Sequence, residues 1–443
     1  MVPLDTIAAI ATPPGRGGIG VIRLSGTSAA FIAQQIVGPL PSPRHATRRD
    51  FVDALGETMD QGLALWFPAP HSFTGEDVLE LHAHSGPVVL DLLLARLVSL
   101  GARLARPGEF SERAFLNDKL DLAQAEAVAD LIDAGSAAAA RAAVRSLAGE
   151  FSARVYALTD AIVDLRVYVE ASIDFVDEDI ELLADGGVAT RLAGMIEDLS
   201  ALQMCARQGR LLQEGCTVVI AGRPNAGKSS LLNALVGTEA AIVTEIPGTT
   251  RDLLRERIDL DGLPVLLIDT AGLRANPERI EAEGIRRALA EMAQADHVLY
   301  VVDGSDVEAV AAAAGEVAAL QTQSAITLIF NKADQPMEPE LSGQRISAKT
   351  GLGLEVLRAH LKKVLGFQSL DAGVLSARRR HLEALARTAD ALATAQARLV
   401  SGTSTELIAE ELKLAHDALS EITGRFTSDD LLGEIFASFC IGK

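Results

Sequence analysis

The chain has few cysteines, few aromatic residues and no long apolar run. Its 443 residues include only Cys205, Cys216 and Cys440, and aromatic side chains make up 4%. Three scattered cysteines exclude a disulfide framework and a cysteine-rich zinc site, and they indicate a reducing, cytoplasmic location. No apolar stretch approaches the ~18 residues of a membrane span, and no basic segment with an apolar core opens the chain. We therefore expect a soluble protein without a secretion signal or a membrane contact.

Positive charge is also scarce. Lysine and arginine total 40 against 60 for aspartate and glutamate, which gives a formal net charge of −20. Such an excess repels polyanions at long range, so a nucleic acid could be bound only through a local basic patch or a partner subunit. Arg378-Arg379-Arg380-His381 is the best local run of basic residues, although a solvated helix face explains it equally well.

Changes in amino-acid composition and hydrophobic pattern along the chain predict several domains. Residues 1–118 are rich in glycine and proline between short apolar runs, which indicates an α+β domain. Residues 119–214 and 368–443 are rich in alanine, leucine and charge, whereas residues 215–367 alternate β-branched runs with helical stretches. The last pattern predicts a parallel sheet with crossover helices, an α/β domain inserted into a discontinuous all-α bundle.

Two helical stripes support the bundle. Apolar residues recur three or four positions apart in both parts of the helical domain, which is the spacing of one buried helix face. The first stripe is Leu147, Phe151, Val155, Leu158, Ile162, Leu165 and Val169, and the second is Ile408, Leu412, Ala415, Leu419 and Ile422.

A phosphate-binding loop opens the α/β region. Gly222-Arg223-Pro224-Asn225-Ala226-Gly227-Lys228-Ser229 follows the apolar strand Thr217 to Ala221 and precedes a helical stretch. Its backbone N–H groups and the helix N-terminus are expected to face the β- and γ-phosphates of a nucleotide. Lys228 adds a cation, and Ser229 adds an oxygen ligand for Mg²⁺.

Four further motifs follow in the order of a guanine-nucleotide switch domain. Thr250, in Gly248-Thr249-Thr250-Arg251-Asp252, is a second candidate Mg²⁺ ligand, and Asp269 ends a predicted strand before Thr270-Ala271-Gly272. The carboxylate of Asp334 can accept two N–H bonds from guanine, a donor pair that adenine lacks. The last motif is the base-closing loop Ser347-Ala348-Lys349.

The catalytic group for hydrolysis is left open by the motifs alone. Leu273 stands where Ras-type proteins carry a glutamine that orients the attacking water, and an isobutyl group cannot do so. Glu278, Glu281 and Glu283 in the following loop are alternatives, and each could equally be part of a solvated acidic face. A monovalent cation held by Asn225 could supply the positive charge that no arginine obviously provides.

Two smaller features carry competing interpretations. Glu80, His82 and His84 alternate along a predicted strand and share one face, but a fourth well-spaced metal ligand is missing, so a solvated or ligand-facing strand is the better interpretation. Cys440 is either a small buried hydrophobe or a thiol close to a ligand site.

The chain resembles the MnmE family, also called TrmE, of tRNA-modification GTPases. Beside the switch motifs, the resemblance rests on segments at both ends of the chain. These are Asp5-Thr6-Ile7, residues 11–18 (ATPPGRGG), Arg23, residues 75–82 (GEDVLELH), residues 106–117 (RPGEFSERAFLN) and the terminal Phe439-Cys440-Ile441-Gly442-Lys443.

The resemblance implies a Ras-like GTPase domain in a homodimer that works with an FAD-binding partner, MnmG. Together they add an aminomethyl or carboxymethylaminomethyl group to C5 of the wobble uridine of certain tRNAs. The N-terminal domain would mediate dimerisation and bind 5-formyltetrahydrofolate or a related one-carbon folate, through Arg23, Glu80, Lys119 and Lys443.

The resemblance also implies K⁺-dependent dimerisation of the GTPase domains. It selects Glu281 as the water-orienting residue, although the neighbouring Glu283 departs from the family pattern. It assigns K⁺ to Asn225 and to backbone carbonyls of Thr244, Ile246 and Thr249. The complete set of predicted nucleotide contacts is Asn225, Ala226, Gly227, Lys228, Ser229, Ser230, Thr244, Glu245, Ile246, Pro247, Gly248, Thr249, Thr250, Asp269, Thr270, Ala271, Gly272, Asn331, Lys332, Ala333, Asp334, Ser347, Ala348 and Lys349.

Two other classes of GTPase share the switch motifs. A ribosome-assembly GTPase usually carries a basic RNA-binding module after the GTPase domain, whereas an alanine- and leucine-rich segment follows here. A membrane-remodelling GTPase needs an amphipathic or apolar membrane-binding segment, and none stands out.

Overall fold

A computed structural model provides the structure of the chain. It describes residues 5–174, 187–237, 254–269, 290–320, 322, 324–337, 342–367, 373–402, 405–424, 429–437 and 439–442. The chain divides into two compact units: residues 1–129, 146–199 and 384–443 form the first unit, and residues 130–145 and 200–383 form the second. Within the described ranges, no helix has both the length and the apolar character needed to cross a bilayer.

The first unit contains a mixed sheet. Its strands are β1 (Ile7–Ile10), β2 (Gly17–Ser25), β3 (Thr47–Val52), β4 (Thr58–Phe67), β5 (Val78–Ser85) and β6 (Arg103–Leu104). The order across the sheet is β3-β4-β5-β2-β1-β6, and all neighbours are antiparallel except β1 and β6.

Three helices accompany this sheet: α1 (Ala29–Val37), α2 (Pro87–Ser99) and α3 (Glu109–Leu116). Side chains alternate between the two faces of a strand, so Ile22 and Leu24 of β2 point to the same face as Leu79 and Leu81 of β5. These residues are buried in one core with α1 and α2. The opposite face carries Arg23 and Glu80, which are paired in register.

Four helices follow in the chain: α4 (Leu122–Ile132), α5 (Ala137–Leu147), α6 (Glu150–Asp174) and α7 (Gly187–Glu214). The first predicted stripe lies mainly on α6, where every member from Phe151 to Val169 is buried. Leu147 does not belong to that helix. It ends α5, and Gly149, with φ +89°, separates the two helices, so the prediction of one continuous stripe is wrong at its first residue.

The second unit contains a largely parallel sheet. Its strands are β7 (Cys216–Gly222), β8 (Leu254–Leu260), β9 (Leu263–Asp269), β10 (His297–Asp303), β11 (Ala325–Asn331) and β12 (Gln344–Arg345), ordered β12-β11-β10-β7-β9-β8. Only β8 runs antiparallel to its neighbour. The helices α8 (Lys228–Val236), α9 (Val307–Ala319) and α10 (Leu354–Val364) lie between these strands or after them in the chain. The predicted α/β region is confirmed.

Three helices complete the described chain: α11 (Arg379–Val400), α12 (Thr405–Thr423) and α13 (Asp429–Ala437). The second predicted stripe, Ile408 to Ile422, is fully buried on α12, and α12 packs against α6. The two stripes therefore face each other in one helical core, as expected for a bundle whose parts are distant in sequence.

Candidate functional site

The parallel strands of the second unit bring three predicted motifs to one edge of the sheet. β7 lies between β9 and β10, and β11 lies next to β10, all in parallel. The phosphate loop follows β7, Asp269 is the last residue of β9, and Asn331 is the last residue of β11. The carboxyl ends of parallel strands form the usual ligand-binding edge of an α/β sheet.

The phosphate loop owes its path to residues with unusual backbone angles. Gly222 has φ +138°, and a Cβ there would lie 2.1 Å from the carbonyl oxygen of Val301. Gly227 has φ +95°, and its Cβ would lie 2.1 Å from Nδ2 of Asn331. Asn225 also has a positive φ, +64°. Both positions therefore favour glycine, and α8 starts directly after the second, so its N-terminus, a feature suited to anions, lies at the end of the loop.

Lys228 is held against the loop by backbone carbonyls. Its side chain is nearly buried, and Nζ donates to the carbonyl oxygens of Gly222 and Arg223 at 2.9 and 2.8 Å. The ammonium group therefore stays beside the loop N–H groups, and it adds positive charge at the point where phosphates would bind.

Ser229, a predicted Mg²⁺ ligand, is in direct contact with Asp269. Oγ of Ser229 donates to Oδ2 of Asp269 at 2.6 Å, and Asp269 is completely buried. A hydroxyl and a carboxylate oxygen are hard ligands of the kind that Mg²⁺ takes in nucleotide sites, so the residues present fit this ion. The other predicted Mg²⁺ ligand, Thr250, lies outside the described residues.

Asn331 connects the phosphate loop to the base-closing loop. Its Nδ2 donates to the carbonyl oxygen of Ala226 at 2.9 Å, and its Oδ1 accepts the N–H of Ala348 at 3.0 Å. Ser347 is buried, and its hydroxyl donates to Oδ1 of Asp334 at 2.7 Å. That hydrogen bond is the main reason why the pKa of Asp334 is below its usual range. The carboxylate is thus ionised and oriented at neutral pH.

One ion pair beside this site was not predicted from the sequence. Lys332, whose φ is +66°, forms an ion pair with Asp303 at the end of β10. Burial raises the pKa of Asp303, but hydrogen bonds from Lys332 and Ser305 outweigh it, so the net pKa is lowered. No short motif contains this pair, because its members lie on neighbouring strand ends 29 residues apart.

A cavity of about 230 Å³ lies beside the phosphate loop, on the side of β10 and α9. Glu316 of α9 accepts hydrogen bonds from Nε of Arg223 and from the hydroxyl of Tyr300, both at 2.6 Å. The pKa of Tyr300 is raised, mainly by burial and then by its bond to Glu316. These contacts tie the second residue of the loop to the neighbouring strand and helix.

In the first unit, the predicted folate residues Arg23 and Glu80 form an ion pair of 2.9 Å. The guanidinium group lies 5.5 Å from the ring centre of Phe73 and 5.7 Å from that of Phe110. Its NH1 also donates to the carbonyl oxygen of Gly442 at 3.3 Å, so the C-terminal motif reaches this pair. A ligand here would meet a cation, a carboxylate and the partly exposed ring of Phe73, whereas Phe110 is buried beneath Arg23.

The histidines of β5 do not converge on one point. His82 lies 3.4 Å from Oε2 of Glu80, whereas His84 pairs with Asp60 at 2.7 Å. Among the described residues no group of three or more potential ligands could hold a metal ion.

A buried arginine network supports the same region and was not predicted. Arg113 is inaccessible to solvent and donates to Oδ1 of Asp5 at 2.6 Å, to Glu76 at 3.1 Å and to Glu109 at 3.3 Å. Arg103 adds hydrogen bonds to Asp5 and Glu109, each at 2.7 Å. Burial raises the pKa of both carboxyl groups, but the arginines lower it more, so the net pKa of each is depressed.

The other predicted residues of the first unit make fewer contacts with the Arg23–Glu80 pair. Lys119 is exposed, and its stem passes Gly75. Cys440 is exposed, so its interpretation as a buried hydrophobe is wrong, and its carbonyl oxygen accepts the N–H of Gly108 at 3.3 Å. The predicted residues outside the described part of the chain are Thr244, Glu245, Ile246, Pro247, Gly248, Thr249, Thr250, Thr270, Ala271, Gly272, Glu281 and Lys443.

The basic run at residues 378–381 is not an open cationic surface. Arg378 donates to the nearly buried carboxylate of Asp130 at 2.8 Å, and Arg379 pairs with Glu383 at 2.7 Å. His381 is buried, and its Nδ1 accepts the N–H of Arg378. The run opens α11: Arg378 is held by a nearly buried carboxylate, whereas Arg379 is exposed beside Glu383, as in the alternative interpretation of a solvated helix face.

Comparison with solved structures gives similarities to GTP-binding domains. The G domain of the T. maritima FeoB iron transporter is 26% identical over 34% of this chain and 98% of that chain, with a TM-score of 0.27. A variant of Aquifex aeolicus Era bound to GDP and aluminium fluoride is 24% identical over 40% of this chain and 66% of that chain, slightly under two thirds, with a TM-score of 0.26. With TM-scores this low, the similarities carry no conclusion about activity.

Protein-family models match almost the whole chain. The model described as the N-terminus of the GTP-binding protein TrmE matches residues 6–119, and the model described as the MnmE helical domain matches residues 122–440. The second match alone spans more than half of the chain. The chain therefore belongs to the MnmE (TrmE) family of tRNA-modification GTPases.

Proposed function

We propose that this GTPase binds GTP and Mg²⁺ at the carboxyl edge of the second unit's sheet and hydrolyses GTP in a K⁺-dependent dimer of GTPase domains. The observation that carries the proposal is the 2.6 Å contact between Ser229 and Asp269. It brings a hydroxyl of α8 and a carboxylate at the end of β9 together, and these two residues would hold Mg²⁺, which would supply positive charge for the phosphates.

Recognition of guanine is assigned to Asp334. The hydroxyl of Ser347 uses one lone pair of Oδ1, so the carboxylate keeps acceptor capacity on both oxygens for the two N–H groups of guanine. The lowered pKa of Asp334 keeps the group an acceptor at neutral pH. Asn331 supports this function, because it joins the loop that holds the phosphates to the loop that closes over the base.

Hydrolysis is assigned to Glu281, which would orient the attacking water in place of the missing glutamine at Leu273. K⁺ would be held by Asn225 and by the carbonyls of Thr244, Ile246 and Thr249. The positive φ of Asn225 turns this residue out of the ordinary loop path, which is compatible with a ligand role. A cation near the developing phosphate charge would replace an arginine from another protein.

A folate-binding function is assigned to Arg23, Glu80, Lys119 and Lys443, for 5-formyltetrahydrofolate or a related one-carbon folate. The chemistry of Arg23 and Glu80 fits such a ligand. A carboxylate can accept the paired N–H groups of a pterin, and Phe73, which is partly exposed, offers aromatic surface beside Arg23. A thiol role for Cys440 in this chemistry is a further part of the proposal, since the residue is exposed near Gly442.

The wider function follows from the family. The chain would act as a homodimer with the FAD-binding MnmG and add an aminomethyl or carboxymethylaminomethyl group to C5 of the wobble uridine of certain tRNAs in the cytoplasm. Residues 1–118 would form the dimerising folate domain, residues 215–367 the GTPase domain, and residues 119–214 and 368–443 the helical domain.

Hydrolysis of GTP by Glu281→Ala tests the catalytic assignment, with Glu283→Ala as the matched control. We expect Glu281→Ala to bind nucleotide normally and to lose about a hundredfold in turnover, since a positioned acid or base contributes about that much. Glu283→Ala should turn over normally, and wild-type turnover should be faster in K⁺ than in Na⁺. Unchanged turnover of Glu281→Ala would reject the assignment, and equal rates in the two salts would reject the role of K⁺.

A further inference from the structure

The distribution of charge in the first unit is strongly uneven. Residues 6–49 contain five arginines and not a single aspartate or glutamate, although the whole chain has a formal charge of −20. Arg44, Arg48 and Arg49 are close together at the end of this segment. A stretch of this length without an acidic residue stands out in a chain with 60 acidic residues.

Arginines elsewhere are mostly neutralised by carboxylates. Arg103, Arg113, Arg378, Arg387 and Arg398 all form ion pairs. Arg44, Arg48 and Arg49 have no carboxylate within ion-pairing distance among the residues that the structure describes. Arg44 donates to the carbonyl oxygen of His71, and the other two donate to Oε1 of Gln61 at 2.9 Å and to the carbonyl oxygen of Pro39 at 3.4 Å. These partners are neutral, so none of the three guanidinium groups is ion-paired among the described residues, although the exposed Asp50 follows Arg49 on β3.

The three arginines lie along one edge of the sheet. The N–H of Arg44 donates to the carbonyl oxygen of Trp66 at 2.9 Å, and Arg48 and Arg49 pair with Leu63 and Gly62 of β4. At about 3.3 Å per residue, this edge extends roughly 16 Å from Arg44 to Arg49. The paired stretch of β4 from Gly62 to Trp66 is uncharged, and Arg44 and Arg48 are exposed.

Protection of a sheet edge against aggregation is the alternative explanation, because charged residues commonly have that function. The opposite edge of the same sheet allows a comparison. There, Arg103 of β6 is bound by Asp5 and Glu109. One edge thus has a neutralised arginine and the other has three uncompensated ones, which edge protection alone does not require.

We propose that Arg44, Arg48 and Arg49 form a basic edge that binds the phosphate backbone of the tRNA substrate. The proposal rests on the tRNA-modification function of the family. Guanidinium groups bind phosphates with paired hydrogen bonds, and folded RNA is contacted mainly through its backbone. The negative charge of the rest of the chain would repel RNA, so an uncompensated basic edge would also orient it.

Binding of tRNA to the full-length chain, alone and with its FAD-containing partner, tests the basic edge. The test variant is Arg44→Gln/Arg48→Gln. The control is Arg379→Gln/Arg387→Gln, which removes the same charge from exposed arginines that are paired with Glu383 and Glu421. The dissociation constant is measured over a series of salt concentrations, and GTP hydrolysis without tRNA is measured in parallel.

We expect the test variant to bind tRNA about tenfold more weakly and to lower the slope of log K against log salt by about 2, one for each arginine that no longer neutralises a phosphate. The control should change affinity by less than about twofold, and hydrolysis of GTP should be normal in both variants.

Equal tRNA affinity of the test variant and the wild type would overturn the basic edge. Increased aggregation with unchanged tRNA affinity would show that the arginines only protect the sheet edge. Loss of binding to anionic lipid vesicles with unchanged tRNA affinity would assign the edge to a membrane surface and also overturn the proposal. If the wild type binds no tRNA in either form, the broader proposed function fails together with this inference.

Discussion

The two candidate sites are built by different means. In the second unit, the phosphate site depends on backbone geometry: Gly222 and Gly227 occupy conformations closed to other residues, and Lys228 is held by backbone carbonyls. In the first unit, Arg23 pairs with Glu80, and the same unit contains a network of ion pairs centred on the buried Arg113. The phosphate loop is encoded in eight consecutive residues, whereas the ion-pair network requires residues from Asp5 to Arg113.

This difference predicts different weaknesses. A loop that depends on glycine conformations is destabilised when a side chain is added. An ion-pair network is destabilised when one charge is removed or neutralised by acid. Three changes test this contrast. Hydrogen exchange read by mass spectrometry suits all of them, because it reports the stability of each unit separately.

Replacing Arg113 with methionine is expected to have the largest effect. The change leaves the carboxylates of Asp5, Glu76 and Glu109 without their shared buried partner, and breaking a buried ion pair costs about 3–5 kcal/mol. Peptides of the first unit should exchange faster, and peptides of the second unit should not change.

The matched control for that variant is Arg387→Met, which breaks an exposed pair with Glu421 in the same unit. Exposed pairs contribute about 0–1 kcal/mol, so exchange should barely change. If both variants destabilise the first unit equally, the buried network contributes no more to stability than an exposed ion pair, which contradicts the account of this unit.

Replacing Gly222 with alanine is expected to cost about 3 kcal/mol in the second unit. The new Cβ would lie 2.1 Å from a backbone oxygen at a φ of +138°, so both strain and overlap contribute. Gly315→Ala in α9 is the control, because a Cβ there meets no atom within 4 Å and alanine favours a helix interior. Slower exchange in Gly222→Ala than in the wild type would contradict the account of the loop.

Mild acid should have the smallest effect and should affect the first unit through Asp5 and Glu109. The pKa of each is lower in the folded protein than the ordinary values of 3.8 and 4.5. A depressed pKa stabilises the fold above the unfolded value, and that stabilisation disappears as the pH falls through the folded pKa. Protection of α3 should therefore decrease below about pH 4, and Glu109→Gln should flatten this dependence. A pH profile of Glu109→Gln identical to that of the wild type would exclude the contribution of Glu109.

The sequence predicted those parts of the structure that local patterns encode. The phosphate loop, the strands β7 and β9 and the buried stripes on α6 and α12 follow from short motifs or from regular spacing. The break at Gly149 was missed because the apolar spacing continues across two helices.

Features that depend on distant partners could not be predicted. Arg113 meets Asp5 across 108 residues, and Arg378 meets Asp130 across 248, so neither ion pair has a local signature. For the same reason a run of basic residues at 378–381 resembled an open patch, although Asp130 and Glu383 neutralise two of its members. A phosphate loop can be recognised from consecutive residues, whereas the ion-pair partners of an arginine are known only once the chain is folded.

The most direct test of the central claim is the nucleotide preference of Asp334→Asn, measured as hydrolysis of GTP and of xanthosine triphosphate by the full-length chain. Guanine presents two N–H donors to the carboxylate, whereas xanthine replaces one of them with a carbonyl that an asparagine amide can donate to. We predict that the wild type hydrolyses GTP and that the variant loses at least about a hundredfold in kcat/KM for GTP while it gains activity on xanthosine triphosphate. A variant that retains full preference for GTP would contradict the account.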